Sequence, residues 1–213
     1  MIKSQAFIRT SSRLIEEAVF DLVRQLDDKR VEGEESFTDR LIQRIQDNLD
    51  GKVVKGVIWK AKTLKSSKRN EQESKFGADL IASLEIDING YKVEKGFLAQ
   101  SKLLEPDAPN RTLDFKRLLD QCKKMLKVSP DSFVFLYSSV GVYVVPAIAI
   151  LAAGRTNPYE IYYKSLASFF EEYFKSFIGD HRIYKHSIDV LNQVLEKDKT
   201  ISALSLIART NDL

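Results

Sequence analysis

Cysteine is almost missing from this chain: Cys122 is the only one in 213 residues. No internal disulfide is possible, and no zinc constellation can be assembled around a lone thiol. Histidine is nearly as scarce. His181 and His186 stand five apart, off the spacing that puts two ligands on one helix face. No apolar run approaches about 18 residues and no secretory core follows Met1, so the expectation is a soluble protein of the cytoplasm with no membrane partner. The scattered glycines form neither GxxxxGK[ST] nor GxGxxG, which argues against nucleotide binding. Ser11-Ser12 and Ser138-Ser139 lack a positioned His and Asp, so serine nucleophile chemistry has little support. Charge of one sign is lacking too. With 33 Lys and Arg against 30 Asp and Glu, the net +3 does not by itself prove a polyanionic partner.

What is present reads as one globular domain, able to bury roughly 70% of its unfolded surface. Ile15, Val19, Phe20, Leu22, Val23 and Leu26 recur at helical spacing behind Ser11 and Ser12, predicting a first helix of about four turns. A second is expected from Glu34 to Gly51, on Phe37, Leu41, Ile42, Ile45 and Leu49. The period then changes. Residues 51–62 are rich in β-branched side chains, and 78–88 alternate, with Leu80, Ala82, Leu84, Ile86 and Ile88 on one face. Asn89-Gly90 signals a two-residue hairpin, answered by 91–102 as the antiparallel partner. Residues 113–128 carry Phe115, Leu118, Cys122 and Met125 at helical spacing, and SFVFLYS and GVYVVPAIAI read as further strands. A β-β-β-α-β-β order predicts an α/β fold with a mixed sheet covered by helices. Residues 60–76 read as a mobile charged loop. Residues 159–179 read as an aromatic helix whose rings pack in the core rather than forming a base-stacking surface, with docking onto another chain as the alternative.

One stretch breaks the apolar logic of its strand. In GFLAQSK, Gln100 and Lys102 project to one side while Ala99 and Ser101 project to the other. Counted from the turn, Asp79 lies about ten residues before it and Gln100 about ten after, so the hairpin brings the two together. A carboxylate, an amide oxygen and an ammonium group thus converge at one hairpin end, a set suited to a hard cation such as magnesium beside a point charge. Plainer readings exist for each residue. Asp79 also suits the start of a strand, Gln100 and Lys102 suit an exposed edge strand, and Glu34 suits a helix N-terminus.

The arrangement resembles the PD-(D/E)xK nuclease superfamily, with its restriction-endonuclease-like fold, and within it the Mrr-like branch that has Gln in the acidic position of the last motif. The resemblance rests on GADL with Asp79, on AQSK with Gln100 and Lys102, on EESFT (34–38) upstream, and on Gln121 in LLDQCKKML downstream. It covers roughly residues 30 to 150. No Pro precedes Asp79, and Gln100 removes one negative charge from the expected cluster. Glu34 or Glu35 is able to reach a site between helix and sheet; the family pattern favours Glu34.

The resemblance implies hydrolysis of DNA phosphodiesters with Mg2+, or Mn2+ in its place. It implies metal ligation by Glu34, Asp79, the Gln100 amide oxygen and the Ser101 carbonyl, an attacking water steadied by Lys102, and a Gln121 that orients water or phosphate. Lys60, Lys62, Lys65, Lys68 and Arg69, with Lys123, Lys124 and Lys127, are expected to contact phosphates. It further implies a role in defence against phage or foreign DNA, a separate sensor or regulatory protein, and a homo-oligomer. The expected organisation is an N-terminal helix over 1–30, a nuclease core over 31–150 and a C-terminal helical extension over 151–213.

Overall fold

The computed structural model describes residues 2–27, 33–65, 76–88, 90–109, 113–183 and 202–210. Helices α1 (Ile2–Asp27) and α2 (Glu34–Leu49) lead into β1 (Val53–Val54), β2 (Val57–Lys65), β3 (Leu80–Ile88) and β4 (Tyr91–Leu103). Then come α3 (Phe115–Val128), β5 (Ser132–Ser138), β6 (Gly141–Pro146), α4 (Ala147–Ala153), β7 (Lys164–Ser165), α5 (Leu166–Phe174) and β8 (Ser202–Thr210). Among the described residues the strands form one eight-stranded mixed sheet in the order β1-β2-β8-β3-β4-β5-β6-β7. The pairs β3/β8 and β4/β5 are parallel and the others antiparallel. The architecture is α/β.

Two hydrophobic layers sandwich the sheet. On one face α1, α2 and α5 pack over Trp59, Leu84, Phe97, Phe135 and Leu206; on the other, α3 and α4 cover Ile81, Leu98, Val134 and Ala203. The alternation expected for 78–88 is present, since Leu80, Ala82, Leu84 and Ile86 share the first core. The antiparallel pairing of β3 with β4 is as expected, while Asn89 of the turn between them lies outside the described residues. Strand β5 is buried along its whole length, which is why SFVFLYS reads as an unbroken apolar run rather than an alternating one. The aromatic rings of α5 fill the core, as expected. Phe97 stands edge-on to Phe169 at 5.1 Å and to Tyr173 at 5.0 Å, an arrangement that matches the ring quadrupoles.

Several elements depart from the sequence expectations. The first helix runs 26 residues, with Ser11 and Ser12 inside it. Ser12 returns its hydroxyl to the Ile8 carbonyl and Ser11 accepts from the Trp59 indole, so both hydroxyls are satisfied in the core instead of starting the helix. Residues 51–62 are not one strand: Lys55 (φ 53°) and Gly56 (φ 81°) make a turn that folds β1 onto β2. Residues 60–65 are strand rather than loop, because β8 supplies a partner along them. The rest of the proposed loop through 75, including Lys68 and Arg69, lies outside the described residues. GVYVVPAIAI divides at Pro146, which has no N–H for a ladder and sits at the N-cap of α4. The aromatic helix begins only at Leu166.

The largest correction concerns the C-terminal region. Residues 151–213 are not a helical extension, and 31–150 is not a complete core. Strand β8 lies in the middle of the sheet between β2 and β3, pairing Ser202 with both Lys65 and Leu80. Residues 203–206 are buried on both faces and include Ser205, so the strand lacks the alternation that identifies a half-buried one.

A candidate hydrolytic centre at one end of the sheet

The hairpin β3-β4 sets the geometry. Ile88 pairs with Tyr91 and Leu80 with Ala99, which places Asp79, just before β3, opposite Gln100 near the end of β4. The Asp79 N–H donates to the Ala99 carbonyl and its own carbonyl accepts from Ser202. The backbone of Asp79 therefore does start a strand, and its side chain does something further. Asp79 Oδ2 accepts from the Gln100 Nε2 amide at 2.5 Å and from the Ser101 backbone N–H at 2.9 Å. Gln100 Nε2 also donates to the Ser101 carbonyl at 3.2 Å. Its other amide atom, Oε1, is buried with no partner among the described residues.

Strand β4 is central, so the edge-strand reading of Gln100 and Lys102 fails: they are 2% and 7% exposed. A counter-charge offsets the cost of burying an ammonium, and α2 provides one. Lys102 Nζ donates to Glu34 Oε2 at 2.9 Å, and Glu34 Oε1 accepts from the Leu103 N–H at 3.2 Å. Glu34 lies in the first turn of α2, yet it spends its carboxylate on β4 rather than on the N–H groups of its own helix. Glu35 is exposed. Of the two helical candidates, Glu34 is therefore the one in contact with the strand end.

Three residues that hold this geometry carry little signal in the sequence. Thr38, Ser101 and Tyr137 form a closed triangle of hydroxyls, at 2.8, 3.0 and 3.1 Å, between α2, β4 and β5. Thr38 also donates to the Glu34 carbonyl at 2.8 Å, and the Phe37 ring stacks on Tyr137 at 4.2 Å. The triangle fixes the first turn of α2 against the sheet and with it the position of Glu34. A lone Tyr in an otherwise apolar strand is the available clue. Burial pushes the Tyr137 hydroxyl well above its ordinary range, so it acts as a neutral anchor.

Gln121 is buried on α3, 3% exposed, and its Oε1 has no partner among the described residues. The Gly77–Asp79 segment passes so close to it that a Cβ on Gly77 would meet the Gln121 carbonyl at 2.6 Å. With φ at 71°, Gly77 is where the chain needs glycine to bring Asp79 past α3. Cys122, the next residue, is inert: burial raises its thiol to about 12.

The donor set fits a hard cation in kind. Asp79 Oδ2 and the Ser101 carbonyl both point at the Gln100 amide nitrogen, and a half-turn of that amide exchanges the donor for the unpartnered Oε1. Three oxygens would then face one point, as magnesium requires. Burial, only partly offset by the Ser101 N–H and Lys102, raises the Asp79 carboxyl to about 6, with Glu34 and Glu35 adding to the rise. A cation bound there would relieve that penalty. Among the described residues no three His, Cys, Asp or Glu side chains form a metal-holding group, and the set here has two carboxylates supplemented by amide and backbone oxygens.

The remaining expected residues fall as follows. Lys60 and Lys62 are exposed and alternate with Trp59 and Ala61, so they project from the α3 face of the sheet. Lys123, Lys124 and Lys127 join Lys116 and Arg117 along α3 around a surface depression of about 590 Å³. The side chain of Lys65 and all of His186 lie outside the described residues. The His181 ring nitrogen contacts the Glu94 carbonyl, away from Asp79, and Ser139 is engaged by Glu105. Among the described residues no helix is long and apolar enough to cross a membrane. Comparison with family models, with curated proteins and with solved structures finds no match.

Proposed function

We propose that this chain is a metal-dependent endonuclease that hydrolyses DNA phosphodiester bonds, built on a restriction-endonuclease-like core and acting as an effector against phage or foreign DNA. One observation carries the reading. Asp79, Gln100 and Lys102 meet Glu34, from another element, at one end of a sheet, and a buried amide oxygen there has no partner among the described residues. Asp79, Gln100 Oε1 and the Ser101 carbonyl are the atoms that would hold Mg2+ or Mn2+, with Glu34 beside them. Such an ion supplies a polarised phosphate oxygen and a water acidic enough to attack.

The chain's own groups do the rest. Lys102 presents its ammonium where charge builds on the phosphate, and steadies the attacking water. Glu34 holds Lys102 in its aim. Gln121 orients water or phosphate from α3. The water oxygen bonds to phosphorus, the P–O ester bond breaks, and the leaving oxygen takes up a proton. The basic residues of α3, together with Lys60 and Lys62 on the same face of the sheet, suit a phosphate backbone read without regard to sequence. A separate regulatory protein would license the activity in the cell.

The test is supercoiled plasmid incubated with the protein in magnesium or in chelator. Nicking or linearisation in magnesium alone, abolished in Lys102→Ala, supports the reading; cutting that persists in chelator or in Lys102→Ala defeats it. A second reading, a non-cutting subunit that binds nucleic acid or a partner chain, is favoured by Gln100, which leaves the site one carboxylate short. A gel shift by the metal-free protein without cleavage under any divalent ion would select it.

A further inference from the structure

On α1, Glu17, Phe20 and Arg24 follow the spacing i, i+3, i+7, which places them within about 60° of one another on the helix surface. All three are exposed, and Phe20 is 67% exposed, a large penalty for an aromatic ring left in water. Beside it the turn between β5 and β6 offers Val140, itself 60% exposed. Together with Val23, Val142 and Leu166 these residues line a groove of about 500 Å³ between α1, β6 and the start of α5. The groove lies at the sheet end reached by the C-terminal ends of β4 and β5, the end that carries Lys102.

The charges around Phe20 are arranged in a self-complementary way. Glu17 precedes the midpoint between residues 20 and 21 by about three and a half residues, some 5 Å along the helix, and Arg24 follows it by the same amount. A twofold axis through that midpoint, with two α1 helices crossing antiparallel, sets Glu17 of each copy against Arg24 of the other. The two Phe20 rings then meet at the axis, over the grooves. A heterologous partner has no reason to match this symmetry, whereas a second copy of the same chain presents the opposite charge to both Glu17 and Arg24. Within the chain, Glu17 pairs with Arg13 on its own helix, at 3.7 Å and with both side chains more than half exposed, which is too weak to compete.

We infer that the outer face of α1 is an isologous dimer interface centred on Phe20, with reciprocal Glu17–Arg24 pairs. The inference stands independently of the hydrolytic reading. Sedimentation equilibrium tests it. The wild-type chain should sediment at twice its 24.3 kDa mass. Phe20→Glu should weaken association at least about hundredfold, as loss of a central aromatic anchor does, with an unchanged circular dichroism spectrum. Glu17→Arg and Arg24→Glu should each be monomeric alone, through like charges facing each other. Mixed in equal amounts they should dimerise again. The arginine introduced on one chain then meets the glutamate introduced on the other, and the native Arg24 of the first meets the native Glu17 of the second. A wild type that stays monomeric at every concentration overturns the inference. So does a dimer indifferent to Phe20→Glu, or a mixture of the two folded charge variants that stays monomeric.

Discussion

Strand β4 buries two lysines seven residues apart, on opposite faces of the sheet, and they are kept in opposite ways. Lys95 is 0% exposed. Its ammonium donates to the Ile178 carbonyl at 2.5 Å and lies 5.0 Å above the Tyr173 ring, with Gly179 packed against its stem. Burial lowers its pKa to about 7, with only partial compensation from the more distant charge of Asp131. Lys102 instead makes a 2.9 Å ion pair with Glu34 and faces the carboxylate of Asp79. Burial alone does not mark a functional lysine. What separates the two is the partner: a carboxylate for Lys102, which is what the proposed function draws on, and a carbonyl and a ring for Lys95.

The sharpest way to break that comparison is to shorten each lysine. Lys102→Met should reduce plasmid cleavage at least about hundredfold, the usual scale for a lost charge-stabilising group, while far-ultraviolet circular dichroism stays unchanged. Glu34→Gln should follow it and Glu35→Gln should not. Equal losses in the two Glu variants would mean that contact with Lys102 is not what matters.

Lys95→Met should leave cleavage intact and act on stability alone. A lysine whose folded pKa is lowered binds fewer protons in the folded state than in the unfolded one. Stability should therefore rise as pH increases from about 7 toward 10, by an amount on the order of 3 kcal/mol. Denaturant melts across that window should show the rise in the wild type and its absence in Lys95→Met. A flat wild-type profile would remove the cage argument.

A smaller effect separates the acid side of the site. Because burial raises Asp79 to about 6, its ionised form costs stability at neutral pH, and that cost disappears as pH falls toward 4. Discounted for partial exposure, Asp79→Asn should gain about 1 to 2 kcal/mol at pH 7, roughly 3 to 6 °C in Tm, while cleavage is lost. Smallest of all, Tyr137→Phe removes one corner of the hydroxyl triangle, and with it two of the three contacts, and should cost about 1 kcal/mol, with cleavage reduced severalfold as Glu34 loosens.

The polar strand end is legible because strand alternation and the Asn89-Gly90 turn together fix which residues meet, and Asp79 and Gln100 follow from those two rules. The hydroxyl triangle is not, since Thr38, Ser101 and Tyr137 come from three elements whose packing no local pattern encodes. Helices α2 and α3 are readable from the spacing of their buried residues. Strand β8 escapes because a central strand with one parallel neighbour shows neither alternation nor a turn to its partner. The split at Pro146 is written in the sequence, but Ala and Ile after it hide the change of period.

The position of β8 has a bearing on how the molecule is made. Until residue 210 has been added, the hairpin β1-β2 and the strands from β3 onward have no shared ladder, and a slot stands open with an unpaired edge on each side. Among the described strands β8 is thus a keystone. A ribosome that stops early releases a chain in which Ser202 is not there to hold the Asp79 carbonyl beside the polar strand end. The same slot should accept its strand from outside: a separate peptide carrying residues 202–210 is expected to pair with β2 and β3 of a shortened chain.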